Sequence, residues 1–245
     1  MGKTIYFISD AHLGSDDAAS EGAKLSKLFA FFDMVAREGE KLYILGDLFD
    51  FWFEYKHAIP NQHLKVIFKL AALVERGVPI HYVTGNHDFW LGDFLPREVG
   101  IAVHRDGVTV TEQGKRLFLI HGDGLSPSDW RYRVFVRGPL RNRLAIALYR
   151  LIPPDWGIPL AKAVSSRSRN FTAGREPRFL GDYEAYAQRK LTEGYDAVLI
   201  GHVHYPVMKQ FDAGGMYLNT GDFYHHFSYG RLLDGRLSLE YFTQS

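Results

Sequence analysis

The sequence of 245 residues contains no cysteine, and this absence excludes several kinds of chemistry. A chain without thiols forms no disulfides and has neither a cysteine nucleophile nor a thiolate metal ligand. Any metal ion must therefore be held by nitrogen and oxygen atoms, which histidine, aspartate and asparagine side chains supply.

Long hydrophobic runs are also missing, and the net charge is close to zero. No stretch approaches the roughly 20 apolar residues of a membrane-spanning helix. The N-terminal apolar run is too short for a signal peptide, because it reaches Asp10 after a few residues. The net charge of +1 gives no general argument for nucleic-acid binding. We therefore expect a cytoplasmic protein.

The hydrophobic content of 46% is enough for a chain of this length to bury a sizeable core. Strand-like runs alternate with helix-like stretches, an order typical of α/β domains. Apolar residues at helical spacing predict amphipathic helices over residues 21–37 and 63–76. We expect one domain over residues 1–245. An aromatic cluster between these helices either packs a loop or lines a pocket: Phe49, Phe51, Trp52, Phe53 and Tyr55.

Five short apolar runs share one feature, which is that each ends at residue types that bind metals. The runs over residues 4–8, 42–45, 80–83, 117–120 and 197–200 lead into Asp10-Ala11-His12, Gly46-Asp47, Gly85-Asn86-His87-Asp88, His121-Gly122-Asp123 and Gly201-His202-Val203-His204. Short continuous apolar runs are typical of buried parallel strands, and ligands bind outside the carboxyl ends of such strands. The repetition predicts one shared site.

The chemistry expected of this site follows from its donor atoms. A mixed nitrogen and oxygen set without thiolate favours Mn²⁺, with Fe or Zn²⁺ as alternatives, over Mg²⁺ and Ca²⁺, which prefer oxygen. Asn86 is a usable oxygen ligand, whereas His87 can approach a substrate without joining the metals and can transfer a proton near pH 7. Other histidines have no partner in a motif and are interpreted as surface or core residues: His57, His63, His81 and His104.

In order and spacing, the five strand endings resemble the signature of the calcineurin-like metallophosphoesterases. The resemblance implies an α/β fold of four layers, αββα, with two mixed sheets face to face and helices outside. It also implies a hydrolase with two divalent ions, in which Asp47, Asn86 and His87 act in catalysis. By this resemblance one ion is held by Asp10, His12, Asp47 and His204, and the other by Asp47, Asn86, His121 and His202.

Residues 131–178 are rich in both basic and apolar side chains. Eleven arginines and lysines stand here against Asp155 and Glu176, and the apolar residues predict amphipathic helices interrupted by Pro153-Pro154 and Pro159. We interpret residues 125–180 as a helical cap that binds an anionic amphiphile or a membrane surface. A structural cap with a solvated charged rim is the alternative. Nucleic-acid binding is disfavoured because hydrophobic residues, not exposed stacking aromatics, lie between the charges.

The cap and the motif His121-Gly122-Asp123-Gly124-Leu125 resemble the UDP-2,3-diacylglucosamine hydrolases of lipid A synthesis. Those enzymes cleave the pyrophosphate of a UDP-linked diacylated sugar to UMP and diacylglucosamine 1-phosphate. The resemblance implies a lipid-linked UDP-sugar substrate, and the basic and apolar cap predicts peripheral contact with the inner face of the cell membrane. It implies substrate contacts at Asn86, His87, Asp129, Tyr132, Ser168, Arg175 and His202.

One difference is that the best-known members have arginine where this chain has His87. Two alternatives to this function stay open. The chain could be a phosphoesterase for another phosphoester or nucleotide, or a non-catalytic scaffold on the same fold. The scaffold is disfavoured because all seven ligand positions are filled. The sequence predicts no oligomeric state.

Overall fold

The computed structural model describes residues 4–161, 163 and 176–243, and the strands among them form two sheets. The first sheet contains β1 (Thr4–Ile8), β2 (Gly39–Ile44), β3 (Ile80–Val83), β4 (Ala102–His104), β10 (Ser228–Leu233) and β11 (Arg236–Tyr241), in the order β11-β10-β1-β2-β3-β4. The second contains β5 (Val108–Glu112), β6 (Lys115–Ile120), β7 (Ala197–Ile200), β8 (Val207–Gln210) and β9 (Met216–Asn219), in the order β5-β6-β7-β9-β8.

Both sheets are mixed, with a parallel set extended by antiparallel strands. Strands β1 to β4 run parallel, and β10 and β11 continue that sheet in antiparallel fashion. In the second sheet β6, β7 and β9 run parallel between antiparallel β5 and β8. All five strands that sequence analysis expects to end in metal-binding residues are therefore neighbours in parallel sets.

Helices cover the outer face of each sheet, and further short helices form the cap. They are α1 (Ala18–Glu38), α2 (Leu64–Glu75), α3 (Trp130–Tyr132, Arg133–Arg137 and Gly138–Arg141, which follow one another without a break), α4 (Arg143–Tyr149), α5 (154–161) and α6 (Glu176–Leu191). The predicted helices over 21–37 and 63–76 are confirmed as α1 and α2. Helix α1 begins after Asp17, whose carboxylate accepts hydrogen bonds from the backbone N–H groups of Ala19 (2.9 Å) and Ser20 (3.2 Å).

The strand period of two divides the apolar side chains into separate layers. On β1, Ile5 and Phe7 lie in the core between the two sheets, whereas Tyr6 and Ile8 face the helical layer. On β7, Val198 and Ile200 belong instead to the layer under α6. Three buried clusters between four layers confirm the αββα architecture.

The structure decides two of the open points from the sequence. The aromatic residues after Asp47 pack the loop, because Phe49, Phe51, Trp52 and Phe53 are all buried. The prediction that Pro159 interrupts a helix is wrong, since residues 154–161 are helical throughout. The ring of Pro159 removes a single backbone donor and leaves the described turns before and after it helical.

The histidines outside the motifs have structural surroundings, as expected. His63 is buried and packs against Phe49 and Trp52. His81 and His104 stack on each other, with a ring separation of 5.5 Å, and His57 is exposed.

Candidate metal centre

The loops that follow β1, β2, β6 and β7 are joined to one another by backbone hydrogen bonds. The N–H of Asp10 donates to the carbonyl of Gly46 at 3.0 Å, and the N–H of Gly201 donates to the carbonyl of His121 at 2.9 Å. A side chain links the two sheets, because Nδ1–H of His121 donates to the carbonyl of Leu45 at 2.8 Å. The strand endings of both sheets therefore meet at one edge of the sandwich.

One group of donor atoms comes from the loops after β1 and β7. Oδ1 of Asp10 lies 3.2 Å from Nε2 of His204 and 3.6 Å from Nε2 of His12. The two Nε2 atoms are themselves 3.1 Å apart. Three potential ligand atoms, from two distant parts of the chain, thus lie close together.

A second group lies beside the first. Nε2 of His121 is 3.3 Å from Oδ2 of Asp47, 3.2 Å from Nδ1 of His202 and 3.1 Å from Oδ1 of Asn86. Oδ2 of Asp47 is also 3.9 Å from Nε2 of His12, so Asp47 lies between the two groups. All seven residues expected to bind metal are therefore brought together, and their role as ligands stays a prediction.

The two carboxylates have the hydrogen bonding that a cation site requires. Oδ2 of Asp10 accepts the N–H of His202 at 2.8 Å, and Oδ1 of Asp47 accepts the N–H of His87 at 2.9 Å. The other oxygen of each carboxylate is buried and accepts no hydrogen bond from any residue that the structure describes. A buried charged oxygen without a partner is costly, whereas a cation between the two groups would pair with both. The donor set therefore fits divalent metal ions.

The pKa shifts of the charged side chains also indicate a cation site. Burial alone would raise the pKa of Asp47, but the imidazoles of His121 and His87 outweigh it and hold that pKa below its usual range. Burial alone would lower the pKa of His121, but the carboxylates of Asp47 and Asp10 raise it to about 10. Burial lowers the pKa of His202 to about 4. The two carboxylates thus attract positive charge, which divalent cations would provide.

The backbone at the ligands is strained. Among the described residues, eight other than glycine have positive φ, and five of them are predicted ligands: Asp10, His12, Asp47, His202 and His204, with φ between 44° and 70°. An L-residue in this left-handed region costs roughly 1–2 kcal/mol. Such strain concentrates at functional sites, where surrounding contacts fix the backbone.

His87 is oriented by Asp50, to which sequence analysis assigned no role. Nδ1–H of His87 donates to the backbone carbonyl of Asp50 at 2.9 Å and lies 3.5 Å from its Oδ1. Nε2 of His87 consequently faces the centre, 4.0 Å from Oδ2 of Asp47. Burial lowers the pKa of His87 to about 4. In the sequence, the one feature that could have indicated a role for Asp50 is its position three residues after Asp47, in the same apolar loop.

The predicted substrate contacts are distributed between the core and the cap. Asp129 and Tyr132 lie at the start of the cap, and the hydroxyl of Tyr132 is buried without a hydrogen bond to any described residue. Burial and the nearby carboxylates of Asp123 and Asp47 raise the pKa of Tyr132, in keeping with a position beside the centre. Ser168 and Arg175 lie outside the residues that the structure describes.

Two cap arginines hold the cap onto the core, and a third binds backbone carbonyls at the start of the cap. Nε of Arg137 lies 2.8 Å from Asp123, whose carboxylate also pairs with Arg141 at 3.3 Å. Arg133 donates to the carbonyls of Gly124 (3.2 Å) and Ser126 (2.7 Å). These side chains are structural, although the sequence pattern alone could not separate them from arginines that face solvent.

Sequence analysis also missed a sixth strand of the same kind. Strand β9 ends at Asn219, and the loop continues with Thr220, Gly221 and Asp222, again an apolar run that leads into polar residues. Nδ2 of Asn219 donates to the carbonyl of Gly201 at 2.8 Å, which ties this loop to the loop that carries His202 and His204. The rule that found the other five endings would have found this one.

We expect Gly46→Ala to destabilise the protein more than Gly77→Ala. Both glycines have positive φ, +89° and +82°, so both substitutions incur about 1–2 kcal/mol of backbone strain. At Gly77 an added Cβ meets nothing within 4 Å, whereas at Gly46 it would lie 2.5 Å from Nδ1 of His121 and 2.7 Å from the backbone nitrogen of Gly85. Overpacking of this kind costs about 1–3 kcal/mol more. Urea unfolding of the two metal-free variants tests the difference, and equal losses would contradict it.

Comparison with known proteins agrees with the geometry. The model of the calcineurin-like phosphoesterase family matches residues 3–206. A UDP-2,3-diacylglucosamine hydrolase from Porphyromonas gingivalis is 40% identical over 187 residues, which cover 74% of this chain and 69% of that protein. One from Haemophilus influenzae is 29% identical over 211 residues, covering 85% of this chain and 86% of that protein.

Among solved structures, the phosphoesterase Yfce from E. coli is 18% identical, with a TM-score of 0.44 and coverage of 98% of this chain and 100% of that one. The family match spans most of the chain and contains all seven predicted ligands. The resemblance expected from the five strand endings is confirmed. The chain belongs to the calcineurin-like phosphoesterase family, and the expectation of a metal-dependent hydrolase is confirmed.

Proposed function

We propose that this protein hydrolyses the pyrophosphate bond of UDP-2,3-diacylglucosamine to give UMP and 2,3-diacylglucosamine 1-phosphate, a step of lipid A biosynthesis. The observation that carries the proposal is the juxtaposition of the candidate metal centre with a cap whose apolar and basic side chains face solvent. Two relatives named UDP-2,3-diacylglucosamine hydrolase support the same substrate. The alternative is a phosphoesterase for another phosphoester or nucleotide.

We assign two divalent ions to the centre, bridged by Asp47. The first would be held by Asp10, His12, Asp47 and His204, and the second by Asp47, Asn86, His121 and His202. Bound there, two such ions neutralise phosphate charge and lower the pKa of water that attacks phosphorus. Mn²⁺ is the proposed ion, with Fe and Zn²⁺ as alternatives, because the set combines histidine nitrogens with carboxylate and amide oxygens.

His87 is assigned to the transition state and not to the metals. Its Nε2 faces the centre, while Asp50 fixes the orientation of the ring through Nδ1–H. From this position His87 would donate a hydrogen bond to phosphate or a proton to the leaving oxygen. Donation from Nε2 needs the doubly protonated ring, a form that the negative charge of a bound pyrophosphate favours.

The cap is assigned to the lipid portion of the substrate. Its described helices leave many large apolar side chains exposed, which on soluble proteins marks an interaction surface. They are Trp130, Val134, Phe135, Val136, Leu144, Leu148, Leu151, Trp156 and Leu160. The exposed arginines Arg131, Arg143 and Arg150 lie among them. We propose that residues 125–180 form this cap within a single domain, and that it receives the acyl chains.

The same surface supports peripheral attachment to the cytoplasmic face of the membrane. No helix in the described part of the chain is long and apolar enough to span a bilayer. Each basic residue close to an anionic membrane surface adds about 1 kcal/mol to binding.

The polar part of the substrate would contact Asn86, His87, Asp129, Tyr132, Ser168, Arg175 and His202.

Asp47→Asn is expected to reduce turnover by more than about 1,000-fold. The change keeps the shape of the side chain but removes the charge shared by both ions, which contributes several kcal/mol of charge stabilisation. Elemental analysis should show that metal is lost, and circular dichroism that the fold remains. Asp33→Asn is the control, because Asp33 is a surface carboxylate that pairs with Lys69. His202→Ala should also lose turnover and keep its fold. Near-normal activity of Asp47→Asn with both ions retained would exclude a bridging role for Asp47.

His87→Ala is expected to lose about 10²–10⁴-fold in turnover with its full metal content. This is the usual contribution of general acid–base catalysis. Steady-state kinetics and elemental analysis on the same preparation test the assignment. If metal occupancy falls in step with activity, His87 is a ligand, which its position near His12 and Asp47 would permit.

Replacing both Leu144 and Leu148 by Asp should raise the Michaelis constant for UDP-2,3-diacylglucosamine by roughly 10-fold or more. Each methylene withdrawn from an apolar contact costs about 0.8 kcal/mol. Turnover at saturation should change little, because this binding is the same in ground and transition states. Hydrolysis of a small soluble phosphodiester should be unaffected.

The matched control for this test is Phe68→Asp. Phe68 is 67% exposed on α2, almost the same as Leu144 at 68%, but lies outside the cap. The control should leave both Michaelis constants unchanged. Two results would favour the generic phosphoesterase. One is an equal loss of both activities in a folded cap variant. The other is a wild-type protein that does not prefer the diacylated substrate over a deacylated UDP-sugar.

A further inference from the structure

The loop between β9 and β10 is held in one conformation beside the metal centre. Oδ1 of Asp222, a buried carboxylate, accepts the backbone N–H groups of Tyr224 (3.1 Å), His225 (2.5 Å) and His226 (2.9 Å). The N–H of Phe223 donates to the carbonyl of Asp10 at 3.1 Å. The loop is therefore fixed internally and attached to a residue of the centre.

This loop presents Tyr224 to the outer side of His204. The hydroxyl oxygen of Tyr224 lies 3.2 Å from Nδ1 of His204, on the opposite side of the imidazole from Nε2, which faces Asp10 and His12. The phenol ring also meets the rings of His204 and His12 edge to face, at centroid separations of 5.6 Å and 6.0 Å. Tyr224 thus contacts two predicted ligands without entering the set of ligand atoms.

The orientation of the His204 ring depends on a hydrogen bond at Nδ1 more than the orientations of the more deeply buried predicted ligands do. Its side chain is 22% exposed, compared with 3% for His12 and 1% for His121. The rings of His12 and His121 are enclosed by protein, and His121 also donates its Nδ1–H to the backbone carbonyl of Leu45. The ring of His204 borders solvent, so a directional hydrogen bond is needed to select its rotation and tautomer.

We propose that Tyr224 is a positioning residue for His204. With Nε2 as the ligand atom, Nδ1 carries the proton and donates it in a hydrogen bond to the oxygen of Tyr224. This bond keeps Nε2 unprotonated and directed at the ion that Asp10 and His12 share. The inference rests on the proposed metal centre and goes beyond it by adding a residue that touches neither ion nor substrate.

Tyr224→Phe tests the inference, because it removes only the hydroxyl and keeps the ring contacts. We expect one of the two Mn²⁺ ions to bind about 10- to 100-fold more weakly, the usual effect of losing such a partner, while the other is unchanged. Titration of metal-free protein against a competing chelator measures both affinities. In the metal-free variant, ¹⁵N NMR should show the His204 ring changing from one tautomer to a mixture.

Tyr205→Phe is the matched control. Tyr205 is the next residue after His204, but its ring contacts His226 instead and its side chain is largely exposed. The control should bind both ions as the wild type does.

Wild-type affinity for both ions in Tyr224→Phe, or an equal loss for both ions, would overturn the inference. A large loss of stability in the metal-free Tyr224→Phe variant would also overturn it, because weaker metal binding would then follow from a structural role of Tyr224. A wild-type protein that binds fewer than two ions would contradict the metal centre itself, and this outcome is distinct from the others.

Discussion

The structure depends on the balance of charge around two buried carboxylates, Asp10 and Asp47. Each uses one oxygen to hold the backbone of a neighbouring loop, and the other oxygen is buried without a hydrogen bond from the described part of the chain. Histidines from four different loops turn ring nitrogens toward these oxygens, which offsets part of the desolvation cost. Divalent ions would offset the rest of this cost, and five of the predicted ligands have strained backbone conformations.

Local sequence patterns predicted the fold and most of the centre because both depend on strand endings. An apolar run followed by Asp, Asn or His is visible within ten residues, and parallel strands bring such endings together without further information. Asp50 and Tyr224 were not found, because each acts by contacting a residue far away in the sequence, His87 and His204 respectively. Such pairings are set by the packing of loops and leave no periodic signal.

The arginines of the cap illustrate a second limit of sequence analysis. Their clustering predicted an anionic partner, yet Arg137 and Arg141 pair with Asp123 of the core, and Arg133 binds backbone carbonyls at the start of the cap. In the sequence, an arginine that pairs with Asp123 looks the same as an arginine that could bind a phosphate. Only the fold shows which group lies opposite each of them. The arginines that face solvent among exposed apolar side chains, such as Arg143, are the ones available to an anionic lipid.

The most direct test of a bridged pair of ions is anomalous diffraction from crystals grown with Mn²⁺. Our account predicts two anomalous peaks about 3.5–4 Å apart, with Oδ2 of Asp47 between them and His204 and His202 on opposite sides. A single peak, or two peaks of which one is coordinated by His87 in place of His204, would contradict it.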